Sequence, residues 1–176
     1  MKLYLDMDNC LTDWNQAVKE IGAESGLLDN ASEEDKTRMC KAINESGVPF
    51  WADMKWHPEG HQLWNLVKPL HPVLLSSPGE FQDAEAGKEN WVSKNIPGTT
   101  LFCDPEKFRY AERDAILIDD LAENIGAWEE AGGIGILHTS FEDTKKKLET
   151  IMELPKMKAT LAEQIRKMAG IFSLQD

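Results

Sequence analysis

The chain has too few cysteines for a disulfide frame and no pattern for a structural zinc site. Cys10, Cys40 and Cys103 are the full set, an odd number, widely spaced and with no CxxC pair. They read as reduced thiols of a reducing compartment. Positive charge is scarce too. Lysine and arginine number 19 against 31 aspartates and glutamates, a formal net charge of −12. Such a field repels polyphosphate backbones, so a nucleic-acid polymer is not an expected partner, whereas a pocket for one phosphate needs only a local cation. No apolar run approaches the ~20 residues of a membrane span. The opening Met1-Lys2-Leu3-Tyr4-Leu5-Asp6 turns acidic before a signal-peptide core could form. The expectation is a cytoplasmic protein with no membrane partner. With hydrophobic residues at 41% and charged residues at 28% over 176 residues, the composition is that of a globular domain with a real core, not of a disordered chain.

Three short apolar runs read as buried strands, Lys2–Leu5, Val73–Leu75 and Ala115–Ile118, with Thr99–Cys103 and Gly135–Leu137 as further candidates. They do not alternate, which fits strands covered on both faces. Between them, Asn15–Ile21, Glu33–Asn44, Gly60–Val67, Ala84–Lys94 and Ala122–Ala131 carry apolar positions at helical spacing. Alternating strand and helix predicts an α/β domain with a mainly parallel sheet. The interval from Trp14 to Pro69 breaks the rhythm: it contains helical stretches and no convincing strand, far longer than an ordinary connection. It reads as a helical insert. The expected organisation is a core from 1–13 and 70–140, an insert over 14–69, and two amphipathic helices over 141–176, broken near Leu154-Pro155, with Lys145-Lys146-Lys147 on a solvated face.

The chemistry sits at the carboxyl ends of the strands. After the first comes Asp6-Met7-Asp8-Asn9-Cys10, after the second Ser76-Ser77-Pro78, after the third Asp104-Pro105-Glu106-Lys107, and after the fourth Asp119-Asp120. A parallel sheet brings these clusters to one edge, where such sheets bind ligands. Two acidic clusters, a hydroxyl pair and a cation there would make a magnesium and phosphate site. Mg2+ prefers hard oxygen ligands, which Asp6 and Asp120 can supply. A metal also neutralises a phosphoryl group enough for the Asp6 carboxylate to approach phosphorus. Asp8, past the end of the strand, is placed for proton transfer. Ser76 offers a hydroxyl and, with it, free backbone N–H groups at the start of the following helix. Lys107 offers a point charge.

These four motifs, in order from Asp6 to Asp120, resemble those of the haloacid dehalogenase-like superfamily of phosphohydrolases. Within it the chain looks most like the 5'(3')-deoxyribonucleotidases, through the segments Leu5–Asp13, Pro49-Phe50-Trp51, Leu74–Pro78, Lys88–Val92 and Leu117–Asp120. The resemblance implies a Rossmann-like core with a helical cap inserted after the first strand. Asp6 would be the nucleophile and a magnesium ligand. Asp8 would be the general acid/base and lend its backbone carbonyl to the metal. Ser76 and Ser77 would hold phosphate, Lys107 would stabilise the transferred group, and Asp120 would bind magnesium with Asp119 in support. Phe50 and Trp51, and after them Trp14, would stack on a nucleobase, so the implied partner is a small phosphomonoester such as a deoxynucleotide. The family usually has Gly where this chain has Asn9, a residue that tolerates the left-handed conformation. Ser76 stands for the nucleotidases' Thr.

Plainer readings compete. An isolated Asp-x-Asp or Asp-Asp after a strand is commonly a turn. Lys107 lies twelve residues before Asp119 and Arg109 ten, and Lys107 is preferred as nearer the strand end. Lys88 and Lys94 read as exposed helix residues, with Lys88 a third choice for the phosphate-binding cation. Trp14, Trp51, Trp56 and Trp64 all fall in the insert, where aromatics usually form the core. His57, His61 and His71 have no ligand-like spacing, and Cys10 reads as a buried thiol. Two other functions use similar residues: a phosphatase of another small phosphomonoester, and a phosphoacceptor domain of the response-regulator type, which needs neither Asp8 nor an insert.

Overall fold

The structure, a computed structural model, describes residues 1–28 and 30–153. Five strands form one parallel sheet: β1 (Lys2–Leu5), β2 (Val73–Ser76), β3 (Leu101–Cys103), β4 (Ala115–Asp119) and β5 (Ile134–Leu137), in the order β3-β2-β1-β4-β5. β1 and β4 are unexposed along almost their whole length because helices cover both faces, which is why their sequences run apolar without alternation. β3 lies at an edge and exposes Phe102. The chain runs outward from β1 to β2 and β3, then returns to the other side of β1 for β4. The reversal opens a crevice between the carboxyl ends of β1 and β4, where doubly wound sheets bind ligands.

The helices are α1 (Trp14–Glu20), α2 (Glu33–Ala52), α3 (Gly60–Val67), α4 (Ala84–Asn95), α5 (Ala122–Glu130) and a helical stretch α6 over 141–153. The second expected tail helix and the break at Leu154-Pro155 lie outside the described residues. α2 runs longer than the sequence pattern predicts, but it is two pieces broken at Gly47, whose φ of 60° leaves the helix. Pro49 then opens the second piece, where a missing N–H costs nothing.

Residues 14–69 contain no strand longer than an isolated bridge among the described residues, and they are not packed around a core of their own. Ile43, Phe50, Trp51, Leu63 and Val67 belong to the same buried cluster as Leu3, Leu5 and Ile116 of the sheet. The contact is closest where α2 meets α4. A Cβ on Gly87 would fall 2.3 Å from Trp51 Cβ and 2.9 Å from the Val48 carbonyl, so glycine there permits the approach. Trp56 reinforces the join, donating its Nε1–H to Asn95 Oδ1 at 3.2 Å with its ring 4.8 Å from that of Trp91.

Candidate active site

The segment after β1 is the foundation of the site. The Asp6 amide continues the sheet by donating to the Ile118 carbonyl at 2.9 Å. The chain then curls so that the amides of Cys10, Leu11 and Thr12 all point to the Met7 carbonyl. This loop requires a positive φ at Asn9, 54°, which an asparagine accepts at modest cost. The Asn9 side chain then works twice: Oδ1 accepts from the Asn15 amide at 3.2 Å and Nδ2 donates to Asp120 Oδ2 at 3.4 Å.

Asp6 and Asp119 converge on one lysine. Lys107, 3% exposed, places Nζ 2.8 Å from Asp6 Oδ1 and 2.6 Å from Asp119 Oδ2. Burial by itself would lower the Lys107 pKa, but the carboxylates of Asp6 and Asp119 more than offset it, so the ammonium is held charged. The contact to Asp6 is an ion pair without hydrogen-bond alignment. Asp6 Oδ1 is the one buried side-chain oxygen among the described residues that accepts no hydrogen bond. Asp119 is instead fully committed, accepting from Lys107, the Leu121 amide and Asn124 Nδ2. Its pKa is raised by burial and then by Asp6, with Lys107 opposing. Arg109 takes no part: it is exposed and pairs with Glu106.

Asp120 is less shielded, and its pKa is pushed up to about 7 by burial and then by the charges of Asp6 and Asp119. Ligand atoms of Asp6, Asp120 and Cys10 lie within 4.8 Å of one another. The two carboxylates fit a small hard cation: both bring an oxygen to the same space, and Asp120 takes a proton easily because it is buried beside the carboxylates of Asp6 and Asp119. Cys10 does not fit. Burial, and then the surrounding carboxylates, push its thiol well up, so it stays protonated and soft.

Asp8 is held from behind. Lys88 Nζ lies 2.5 Å from Asp8 Oδ2 and 2.7 Å from Ser76 Oγ, while Thr12 Oγ1 sits 3.1 Å from Asp8 Oδ1. Lys88 is therefore not the exposed helix residue the sequence suggests; its side chain is 0% exposed, with Nζ 5.1 Å from the Trp51 ring centre. A signal was present. Ala84, Gly87, Lys88, Trp91 and Val92 follow the spacing of one helix face and form the buried face of α4, so Lys88 occupies an apolar-stripe position. Lys94 is exposed, as its position outside that stripe implies. The expected helix N-terminus beside Ser76 is not found either: α4 starts only at Ala84, because Pro78 and the positive-φ Gly79 turn the chain first.

Asp6, Asp8, Asn9, Lys107 and Asp120 open into a cavity of about 330 Å³ walled by Trp14, Trp51, Ser77, Phe81, Leu121 and Asn124 among others. Phe50 is absent from its walls. Neighbouring helical residues point in different directions, and Phe50 meets Trp51 edge-on at 4.9 Å while its other side faces Ala17, Ile21 and Met54. Trp51 does reach the cavity but is 2% exposed, whereas Trp14 and Phe81 are half-buried. Phe81, 5.3 Å from Trp51, lines the cavity although nothing in its sequence spacing marks it. A second hollow of about 400 Å³ at the opposite end of the sheet, lined by Trp64, Lys68, His71 and Thr100 among others, has no carboxylate on its walls.

No protein-family model matches this chain. No curated protein matches its sequence. Among solved structures it is similar to a hydrolase from Pseudomonas syringae, at 12% identity and a TM-score of 0.45, over 82% of this chain and 89% of that one. At that level the likeness adds nothing to the geometry of the site.

Proposed function

We propose that this chain is a magnesium-dependent phosphomonoesterase of the haloacid dehalogenase-like kind, with a deoxynucleoside monophosphate as the favoured substrate. The observation that carries the reading is the convergence of Asp6, Asp8, Asp120 and the charged Lys107 on one cavity at the β1–β4 crevice. A purely structural ion pair would not need the open cavity in front of it.

Asp6 and Asp120 would hold the magnesium, together with the Asp8 backbone carbonyl. When bound, the cation supplies charge neutralisation at the phosphoryl oxygens. In the first step an Asp6 carboxylate oxygen bonds to phosphorus as the ester P–O bond breaks, and Asp8 gives its proton to the departing alkoxide oxygen. In the second, Asp8 takes a proton from water as the water oxygen bonds to phosphorus and the Asp6 O–P bond breaks, which frees the Asp6 carboxylate and yields inorganic phosphate. Lys107, held charged, faces the negative charge that spreads over the transferred group. Asp119 keeps Lys107 aimed. Ser77, on the cavity wall, offers a hydroxyl to the phosphate. Trp14 and Phe81 offer faces to a flat base, and the insert supplies one wall of the cavity.

The test is hydrolysis of a panel of phosphomonoesters by the purified chain, with magnesium and with excess chelator. Magnesium-dependent phosphate release, fastest on deoxynucleoside monophosphates, is expected, with calcium inhibiting because it takes more oxygens at longer distances. Release confined to sugar phosphates would leave the phosphatase and remove the nucleotidase. Stable phosphorylation without turnover would favour a phosphoacceptor, a reading that leaves Asp8 without a task.

A further inference from the structure

Lys88 is a charged group beside the site that the proposed reaction leaves unused. It is wholly buried and lies behind Asp8 and Ser76, so it is not on the cavity wall that a substrate would meet. Burying an ammonium costs several kcal/mol unless its partners offset it. Its side-chain hydrogen bonds are to Asp8 Oδ2 and Ser76 Oγ, and the ring of Trp51 covers it at 5.1 Å. A lysine kept there only for packing would be better replaced by leucine or methionine, which fill the same volume without the desolvation cost. The hydrogen bonds must therefore be what the position serves.

They do two things. Asp8 lies on a loop, half-buried and free to rotate about two side-chain bonds; Lys88 fixes Oδ2 while Thr12 stands at Oδ1. Ser76 accepts from Lys88, and an accepting hydroxyl has its own proton left to give in another direction. Resting on the phosphatase reading above, we infer that Lys88 is a positioning residue: it holds the Asp8 carboxyl at the place where a leaving oxygen needs its proton, without touching the substrate.

A residue acting through Asp8 should matter in proportion to how much the leaving group needs a proton. Proton transfer by a placed side chain contributes ~10²–10⁴-fold, and misplacement by about 1 Å can forfeit ~10²-fold. Lys88→Met is thus expected to lower kcat by ~100-fold on phenyl phosphate and by less than ~10-fold on p-nitrophenyl phosphate, whose leaving group departs with little protonation, with KM nearly unchanged. In an Asp8→Asn background the same substitution should cause no further selective loss. Should the methionine variant not fold, Lys88→Gln, neutral but still able to donate, is expected to show the same selectivity to a smaller degree. Equal loss on both esters, a selective loss that persists without the Asp8 carboxyl, or no loss in either folded variant overturns the assignment. If the unmodified chain hydrolyses neither ester with magnesium, the phosphatase reading fails, and the role of Lys88 fails with it.

Discussion

At the scale of single residues, charge accounts for most of what the site does. Asp120 has a pKa of about 7 in the folded chain against 3.8 ordinarily, so between those values the folded protein keeps a proton that the unfolded chain has released. Its contribution to stability therefore falls as pH rises from about 4 to about 7 and is flat above. Without metal, Asp120→Asn should melt above the unmodified chain at about pH 8 and not at about pH 4, by circular dichroism. Magnesium should raise the melting temperature more at about pH 8 than at about pH 5, since it must displace that proton. An equal rise at both would remove Asp120 from the metal site. Asp6→Asn should fold and release no phosphate, because it takes away the attacking oxygen; near-normal turnover by the folded variant would exclude Asp6 as nucleophile.

At the scale of elements, the decisive contact is α2 against α4. The two helices approach at Gly87 with no room for a side chain, and this holds Trp51 over Lys88 and Lys88 against Asp8. Gly87→Ala puts a methyl into Trp51 and the Val48 carbonyl, and forced overpacking of this kind costs about 1–3 kcal/mol. The better helix propensity of alanine returns at most about 1 kcal/mol. A net loss in denaturant midpoint is expected, together with lower kcat, because the displaced Trp51 no longer seats Lys88. Gly126, where a Cβ meets nothing within 4 Å, is the control: Gly126→Ala on α5 should be neutral or stabilising.

At the scale of the whole molecule, the carboxyl edge of the sheet gathers Asp6, Asp8, Lys107 and Asp120, and Trp14 and Trp51 of residues 14–69 wall the space in front of them. Substrate choice should follow from the half-buried Trp14 and Phe81 more than from Trp51, which is almost entirely core. A base stacked on an aromatic side chain contributes about 1–3 kcal/mol. Trp14→Ala and Phe81→Ala should lower kcat/KM on deoxynucleoside monophosphates by roughly one to two decades and leave p-nitrophenyl phosphate less affected. Trp51→Ala should lower both together, with a drop in stability of about 3–5 kcal/mol from the cavity it leaves. If the aromatic variants hydrolyse nucleotides normally, the base does not sit between them.

The sequence by itself determined the sheet and the acidic edge. Short apolar runs such as Leu3-Tyr4-Leu5 and Ala115–Ile118 can be satisfied only between two helical layers, and a parallel arrangement then carries Asp6, Lys107, Asp119 and Asp120 to one end. Those are local and topological facts, set by hydrophobic pattern and strand direction. What only the tertiary structure decided is which side chain faces which. The periodicity of α4 placed Lys88 in the apolar stripe, but its charge argued for solvent; only Asp8 and Ser76, 80 and 12 residues away in the chain, make burial tolerable. Phe50 and Trp51 are adjacent and alike in the sequence, yet both are core residues, and only Trp51, packed against Gly87 of α4, has an edge on the cavity of Asp6 and Asp120. Partners distant in sequence set burial and orientation, and neither composition nor spacing records them.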